Sequence, residues 1–285
     1  MTAIELLNEG KAALSEVTDE YELDAWYLFE HATGIARHEY LMDSQITVPN
    51  EKCNIFREYI SKRSKHIPLQ HIVGTQWFMG LEFEVNKHVL IPRQDTEALV
   101  EEALKFIQDG DCVLDMCTGS GCILLSLLHY SNHCSGIGVD ISKEALKVAT
   151  ENAAAIAGIS RPNPWSEDTV RFICSDLFTE VPKEKFDIIV SNPPYIASAV
   201  IPTLMEEVRE HEPMTALDGM EDGLFFYRKI VAESGHYLAK EGMLFFEIGH
   251  DQGQAVSDMM REAGFKDVTV VKDFAGLDRV VYGSC

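Results

Sequence analysis

The stretch CVLDMCTGSGCILLSLLHY, residues 112–130, decides how this chain is read. CVLDM is a short apolar run of strand length, a glycine-rich turn follows it, and GCILLSLLHY then reads as a buried helix. Glycine lets the backbone turn tightly and approach a ligand closely, while a helix start offers unpaired N–H donors. Working outward, the same alternation recurs. Downstream come a strand GIGVDI (136–141), a helix KEALKVATENAAAIA (143–157), and the strands VRFICSD (170–176) and FDIIVSN (186–192). A helix GLFFYRKIVAESGHYL (223–238), a strand GMLFFEIG (242–249) and a helix QGQAVSDMMREAG (252–264) follow, and VTVVKD and RVVYG close the chain as two strands. Upstream, DTEALVEEALKFI reads as a helix capped by Asp95 or Thr96. Apolar strands alternating with helices predict an α/β fold with a largely parallel sheet covered on both faces. GISRPNPWSEDT (158–169) reads as a surface loop.

The character changes near residue 75. Before it, Ile4, Leu6, Leu7 and Leu14 mark one amphipathic helix, and Leu23, Trp26, Tyr27 and Phe29 mark a second. Ile55, Phe56, Tyr59 and Ile60 mark a third, with Asp19 and Asn50 as starts for the later two. This segment, 1–75, reads as a small helical domain without chemistry of its own. Residues 76–91, QWFMGLEFEVNKHVLI, read as a linker of two short strands joined around Asn86. The strand–helix domain then occupies 92–285.

Composition bounds the function. The 285 residues carry 24 Lys plus Arg against 46 Asp plus Glu, a net charge of −22. That balance opposes broad binding to a nucleic-acid backbone or to an anionic membrane surface. No run approaches the roughly 20 apolar residues of a spanning helix. The N-terminal MTAIELLNEGKAALSE is charged throughout and has no signal-peptide core. The seven cysteines, at 53, 112, 117, 122, 134, 174 and 285, include no CxxC pair, so reduced thiols in a cytoplasmic protein are expected. Cys112, Cys117 and Cys122 lack finger-like partners, and His129 and His133 lack an HExxH pattern, so no metal is expected.

Four features carry candidate chemistry. The turn Asp115, Met116, Cys117, Thr118, Gly119, Ser120, Gly121 differs from a dinucleotide fingerprint in its acidic strand end. A carboxylate would repel a pyrophosphate but suits a ligand with an amino group, directly or through the backbone it orients, which favours S-adenosylmethionine over NAD. Asp140 ends the next strand, where a carboxylate accepts ribose hydroxyls; a helix cap is the plain alternative, and Ser142 could fill it. Asp176 ends the third strand and would meet the adenine amine, with Leu177 or Phe178 against the ring. The sharpest feature is Asn192, Pro193, Pro194 and Tyr195 at the end of FDIIVS. It offers a planar amide, a proline carbonyl and an aromatic face at the carboxyl edge of the sheet, where open α/β folds bind ligands. Glu206, Glu207, Glu210 and Glu212 read as a solvated helical face. Glu247 lines the site or makes a structural hydrogen bond, and Tyr282 reads as core.

With D-x-x-x-G-S-G upstream of N-P-P-Y, the chain resembles the class I S-adenosylmethionine-dependent methyltransferases that modify planar nitrogens. The helical N-terminal domain, I-P-L-Q-H-I-V-G (67–74), V-L-I-P-R-Q-D-T-E (89–97) with its P-R-x-x-T-E signature, and H-E-P-M-T-A-L-D-G (211–219) narrow the likeness. Over essentially the whole chain it is similar to the peptide chain release factor glutamine methyltransferases (the PrmC/HemK family). The resemblance implies a Rossmann-like methyltransferase domain with a mostly parallel seven-stranded sheet, a β-hairpin linker and a helical domain that recognises substrate. It implies S-adenosylmethionine on the loop 117–121, with Asp115, Asp140, Asp176, Leu177 and Asn192 around it. Methyl transfer goes to the glutamine amide of the Gly-Gly-Gln motif in class I release factors, held by Asn192, Pro193, Pro194 and Tyr195 with Arg93 and Glu97 nearby. Asn192, Pro193 and Tyr195 are its catalytic residues. Cys117 departs from the usual glycine and Leu177 from the usual aromatic. The alternatives are a ribosomal-protein glutamine as acceptor, or an adenine or guanine amino group in DNA or RNA; the net charge opposes the latter.

Overall fold

The computed structural model describes residues 1–160 and 169–285. Most of the 158–169 stretch expected as a loop therefore lies outside the described residues. Those described form two compact units, Met1–Thr75 with Met205–His211, and Gln76–Leu204 with Glu212–Cys285.

The smaller unit contains helices α1 (Ala3–Leu14), α2 (Tyr21–Thr33), α3 (Arg37–Met42), α4 (Asn50–Arg63) and α5 (Leu69–Val73). Thr2 and Glu5 close a capping box that starts α1, each side chain bonding the other's backbone N–H. Leu6, Leu14, Leu28, Phe29 and Phe56 are fully buried between the helices. A side chain at Gly10 would strike the Phe56 ring, so α1 and α4 approach closely there. The stripe of α2 runs through Ala25, Trp26, Leu28 and Phe29, while Leu23 and Tyr27, expected on it, are exposed. Arg63 is buried and bonds Asp24 at 2.6 Å and Glu207 at 2.8 Å. Glu207 sits on the short helix Glu206–His211 (α9 in chain order), so the expected solvated face is wrong there. The seven residues from Met205 thus pack with this unit although the sequence on both sides of them belongs to the larger one.

In the larger unit, β1 (Thr75–Phe78) and β2 (Leu81–Glu84) form the hairpin. Its turn lies at Met79 (φ 50°) and Gly80 (φ 71°), not at Asn86. Positive φ at both central residues matches the two-residue loop that suits strand twist, and methionine gives no sequence signal for it. There follow α6 (Gln94–Leu104), β3 (Cys112–Met116), α7 (Cys122–Tyr130), β4 (Ser135–Asp140), α8 (Lys143–Ser160), β5 (Val170–Cys174) and β6 (Phe186–Ser191). After them come α10 (Met214–Leu217), α11 (Phe225–Ser234), β7 (Leu238–Glu247), α12 (Gly253–Glu262), β8 (Lys266–Lys272) and β9 (Asp278–Ser284).

The seven strands are ordered β5-β4-β3-β6-β7-β9-β8, parallel from β5 to β7 and antiparallel at β9. Adjacent strand residues feed opposite faces. Val113, Phe245 and Val280 pack with α6 and α7, whereas Leu114, Phe246 and Val281 pack with α11 and α12. The chain steps outward from β3 through β4 to β5, then returns to pair β6 on the other side of β3. That reversal opens a crevice at the carboxyl ends of β3 and β6. No described helix is long and apolar enough to cross a membrane.

Candidate active site

A cavity of about 320 Å³ occupies this crevice. Its walls come from the loops after β3, β4, β5 and β6, from the segment leading into α6, and from α10.

The turn after β3 is braced from below. Asp115 is fully buried, and its Oδ2 accepts from the Thr118 hydroxyl at 2.6 Å and from Leu124 N–H at 3.3 Å. Burial pushes its carboxyl up to about 7, opposed by those two bonds. Asp115 does not line the cavity, so of the two roles the sequence left open it takes the one that orients backbone. Asp140 Oδ2 accepts from Gly119 N–H and Oδ1 from Ser142 N–H, both at 2.9 Å. Ser142 then caps α8 through Ala145 N–H at 3.1 Å. Burial raises the Asp140 carboxyl as well. Each carboxylate oxygen still has acceptor capacity towards the cavity that Asp140 lines.

Cys117, Thr118, Gly119, Ser120, Asp176 and Leu177 also line the cavity, whereas Gly121 packs its backbone against Ala149 instead. Gly119 has φ 55°, and a Cβ there would meet no atom within 4 Å, so its missing side chain is open room. The Ser120 hydroxyl is buried without a hydrogen bond. The unfilled wall at Gly119 and the remaining acceptor capacity of Asp140, in a cavity of ligand size, fit a nucleoside-type cofactor. Cys117 holds φ 65°, a left-handed conformation that disfavours side chains. Burial raises its thiol pKa, so it stays protonated. Phe178 lies outside the cavity lining and stacks on Tyr237 at 4.6 Å.

Asn192, Pro194, Arg93 and Thr96 line the same cavity. Asn192 Nδ2 donates to Thr96 Oγ1 at 3.4 Å, which leaves its oxygen available. Ser191 ties β6 to β3 by donating its hydroxyl to the Met116 carbonyl at 2.7 Å. Pro193 and Tyr195 fall outside the cavity lining. The Tyr195 hydroxyl donates to Glu247 Oε1 at 3.3 Å, and its carbonyl accepts from Gln252 Nε2 at 3.0 Å. Glu97 is also elsewhere. Its Oε1 accepts from Met79 N–H at 2.6 Å, holding the hairpin turn to α6. Arg93 pairs with Glu212, which is buried rather than solvated as expected. Among the described residues, no cluster of His, Cys, Asp or Glu could hold a metal ion.

Two family models match the chain, the PrmC N-terminal domain over residues 5–74 and the methyltransferase small domain over 94–211. The chain is 38% identical to the release factor glutamine methyltransferase of Caulobacter vibrioides, over 99% of this chain and 96% of that one. It is 40% identical to the protein of the same name from Clostridium botulinum, over 97% of each. The chain belongs to the release factor glutamine methyltransferase family. A solved methyltransferase from Pyrococcus furiosus, 16% identical, covers 79% of this chain and is itself covered to 98%, with a TM-score of 0.54; it shares the fold.

In this member of the release factor glutamine methyltransferase family, several site residues escaped the sequence reading. Asn152 of α8 is fully buried and accepts from Glu84 N–H at 2.7 Å. Its NH2 donates to the carbonyls of Glu84 at 3.1 Å and Ser120 at 3.0 Å, clamping the glycine turn to the hairpin. The signal was present as a polar residue inside an apolar stripe. Ile141 lines the cavity although it is 60% exposed, an apolar surface open to a ring. The sequence offers Thr96 as a helix cap, yet the cap position is Arg93, and Thr96 lies buried within the first turn.

Proposed function

We propose that this chain transfers a methyl group from S-adenosylmethionine, leaving S-adenosylhomocysteine, to the side-chain amide nitrogen of a glutamine. The acceptor is the glutamine of the Gly-Gly-Gln motif in class I peptide chain release factors; the relatives' names support a release factor glutamine as the acceptor. One observation carries the reading. The braced glycine turn and the Asn192 carboxamide face the same cavity. S-adenosylmethionine supplies an electrophilic methyl group on a sulfonium centre. The residues suited to hold it are the backbone of 117–120, Asp140 towards ribose hydroxyls, Asp176 towards the adenine amine, and Leu177 with Ile141 against the ring.

An amide nitrogen is a poor nucleophile because its lone pair is delocalised into the carbonyl. A general base is not the remedy, since a neutral amide holds its protons tightly. Asn192 Oδ1 instead accepts one N–H group from within the cavity, and the Pro193 carbonyl, which stands beside the lining rather than in it, is the acceptor for the second, which favours positive charge on nitrogen as the bond forms. Fixed orientation of this type is worth up to roughly 7–11 kcal/mol. The nitrogen is acidic only after transfer, and its proton leaves then. Tyr195, held by Glu247 and Gln252, anchors the turn that presents both acceptors. The net charge of −22 supports a protein acceptor over a phosphate backbone.

The test is incubation with labelled cofactor and, separately, release factor, ribosomal protein and DNA. Mass spectrometry should find one methyl on the glutamine of the Gly-Gly-Gln loop, and a Gln→Glu release factor should accept none. Methylated adenine beside an unmodified release factor would overturn the proposal.

A further inference from the structure

We infer that Thr96 and Glu247 are positioning residues, which orient the Asn192 carboxamide so that its oxygen faces the acceptor amide. The inference rests on the glutamine methyltransfer reading and concerns which end of Asn192 meets the substrate. Two buried groups, Thr96 and Glu247, and the half-buried Asn192 stand together at the sheet edge. Thr96, 3% exposed, stands in the first turn of α6 without capping it. Asn192, after β6, donates its Nδ2 to the Thr96 oxygen at 3.4 Å. Glu247, at the end of β7 and 2% exposed, accepts from the Tyr195 hydroxyl at 3.3 Å. Its second oxygen is buried and makes no close hydrogen bond, and the Thr96 hydroxyl is the neighbouring donor that favours its ionised form.

A hydroxyl has one proton. When that proton is turned to the Glu247 carboxylate, only the Thr96 lone pairs remain for Asn192, and these accept an N–H. The Asn192 oxygen must then point to the cavity, where it can accept from the substrate. Without the hydroxyl, either end of the carboxamide can face the substrate, and the flipped form opposes its NH2 to the substrate N–H. Protonation of Glu247 has the same effect, because a carboxylic acid can donate to Thr96 and free the hydroxyl proton for Asn192 Oδ1.

Burial pushes the Glu247 carboxyl up to about 7. The groups facing it are Thr96 and Asp95 on α6, Tyr195 after β6 and Arg279 on β9. Tyr227 on α11 donates to its backbone carbonyl at 2.9 Å, and the Cys122 thiol on α7 feels its charge. Asp95 opposes ionisation, whereas Arg279, Thr96 and Tyr195 favour it. The oriented state therefore belongs to pH above about 7.

The test uses the full chain with intact release factor, and ¹⁵N spectra of the chain without acceptor. Thr96→Val should lower kcat roughly tenfold to a hundredfold, the scale of a misplaced reacting group, while cofactor affinity stays unchanged. Thr96→Ser should restore kcat, and Thr96→Ala, which is smaller and keeps the core open, should behave like the valine variant. The Asn192 side-chain NH2 resonances should titrate near neutral pH in the wild type and lose that titration in Thr96→Val. Wild-type kcat in Thr96→Val or Thr96→Ala, equal impairment in Thr96→Ser, or an Asn192 signal indifferent to Thr96 would each overturn the inference. A wild-type chain that leaves release factor unmethylated would instead sink the functional reading, since the resonance test needs no acceptor.

Discussion

Replacing Asp115 by asparagine should flatten the dependence of folding stability on pH. Asp115 has no solvent exposure, and its carboxyl is raised from 3.8 to about 7 by burial. A folded pKa above the unfolded one means that the native chain holds the extra proton between those values. The stability this group contributes is thus fully present below pH 3.8 and is lost as pH rises through about 7. At about 1.4 kcal/mol per pH unit the whole loss is about 4 kcal/mol, of which roughly 2–3 kcal/mol falls between pH 5 and pH 8. Asparagine has no proton to release. Its oxygen can still serve Thr118 and Leu124, but its NH2 replaces an Oδ1 that has no hydrogen-bond partner. That mismatch costs ~1–3 kcal/mol at every pH. The variant should therefore melt lower than wild type at pH 5, with the deficit shrinking or reversing by pH 8. At ~2–4 °C per kcal/mol for a unit of this size, the two Tm profiles should converge by roughly 4–12 °C over that range. Scanning calorimetry of the cofactor-free chain reads it directly. Glu247 titrates in both proteins and cancels in the difference. Parallel profiles would refute the assignment of a neutral, buried Asp115.

Asn192→Ala should leave cofactor binding nearly intact while transfer falls by ~10²–10³-fold, the scale of a lost transition-state hydrogen bond; near-normal turnover would remove Asn192 from the mechanism. Asp140→Ala should weaken cofactor affinity by roughly 1.5–3 kcal/mol, the range for bonds to charged groups. Unchanged affinity by calorimetry would limit Asp140 to bracing Gly119 and Ser142. Arg63→Leu strands the buried Asp24 carboxylate and should destabilise the helical unit by ~3–5 kcal/mol in urea, with cofactor affinity preserved. An unshifted urea midpoint would show the ion pair to be dispensable.

The sheet was legible because its signal is local. Val113 beside Leu114, and Phe245 beside Phe246, are apolar at consecutive positions within runs of strand length, as a strand covered on both faces requires. That the glycine turn, Asp140 and Asn192 line one cavity was legible for a related reason. Each stands at the carboxyl end of a readable strand, and the fold class itself brings those ends to one crevice. Residues whose partners lie far along the chain were not legible. Thr96 has the composition of a helix cap, but the chain enters α6 one turn earlier, so its side chain turns inward to Asn192. Glu97 looks like a site carboxylate until the hairpin turn at Met79 and Gly80 brings a backbone N–H against it. Asn152 reads as one more helix residue until Glu84 and Ser120 converge on it. Hydrophobic periodicity is written along the sequence, and it sets which elements form and which faces they bury. A hydrogen bond between distant residues depends on where two backbones cross, and only the packed tertiary structure decides that crossing.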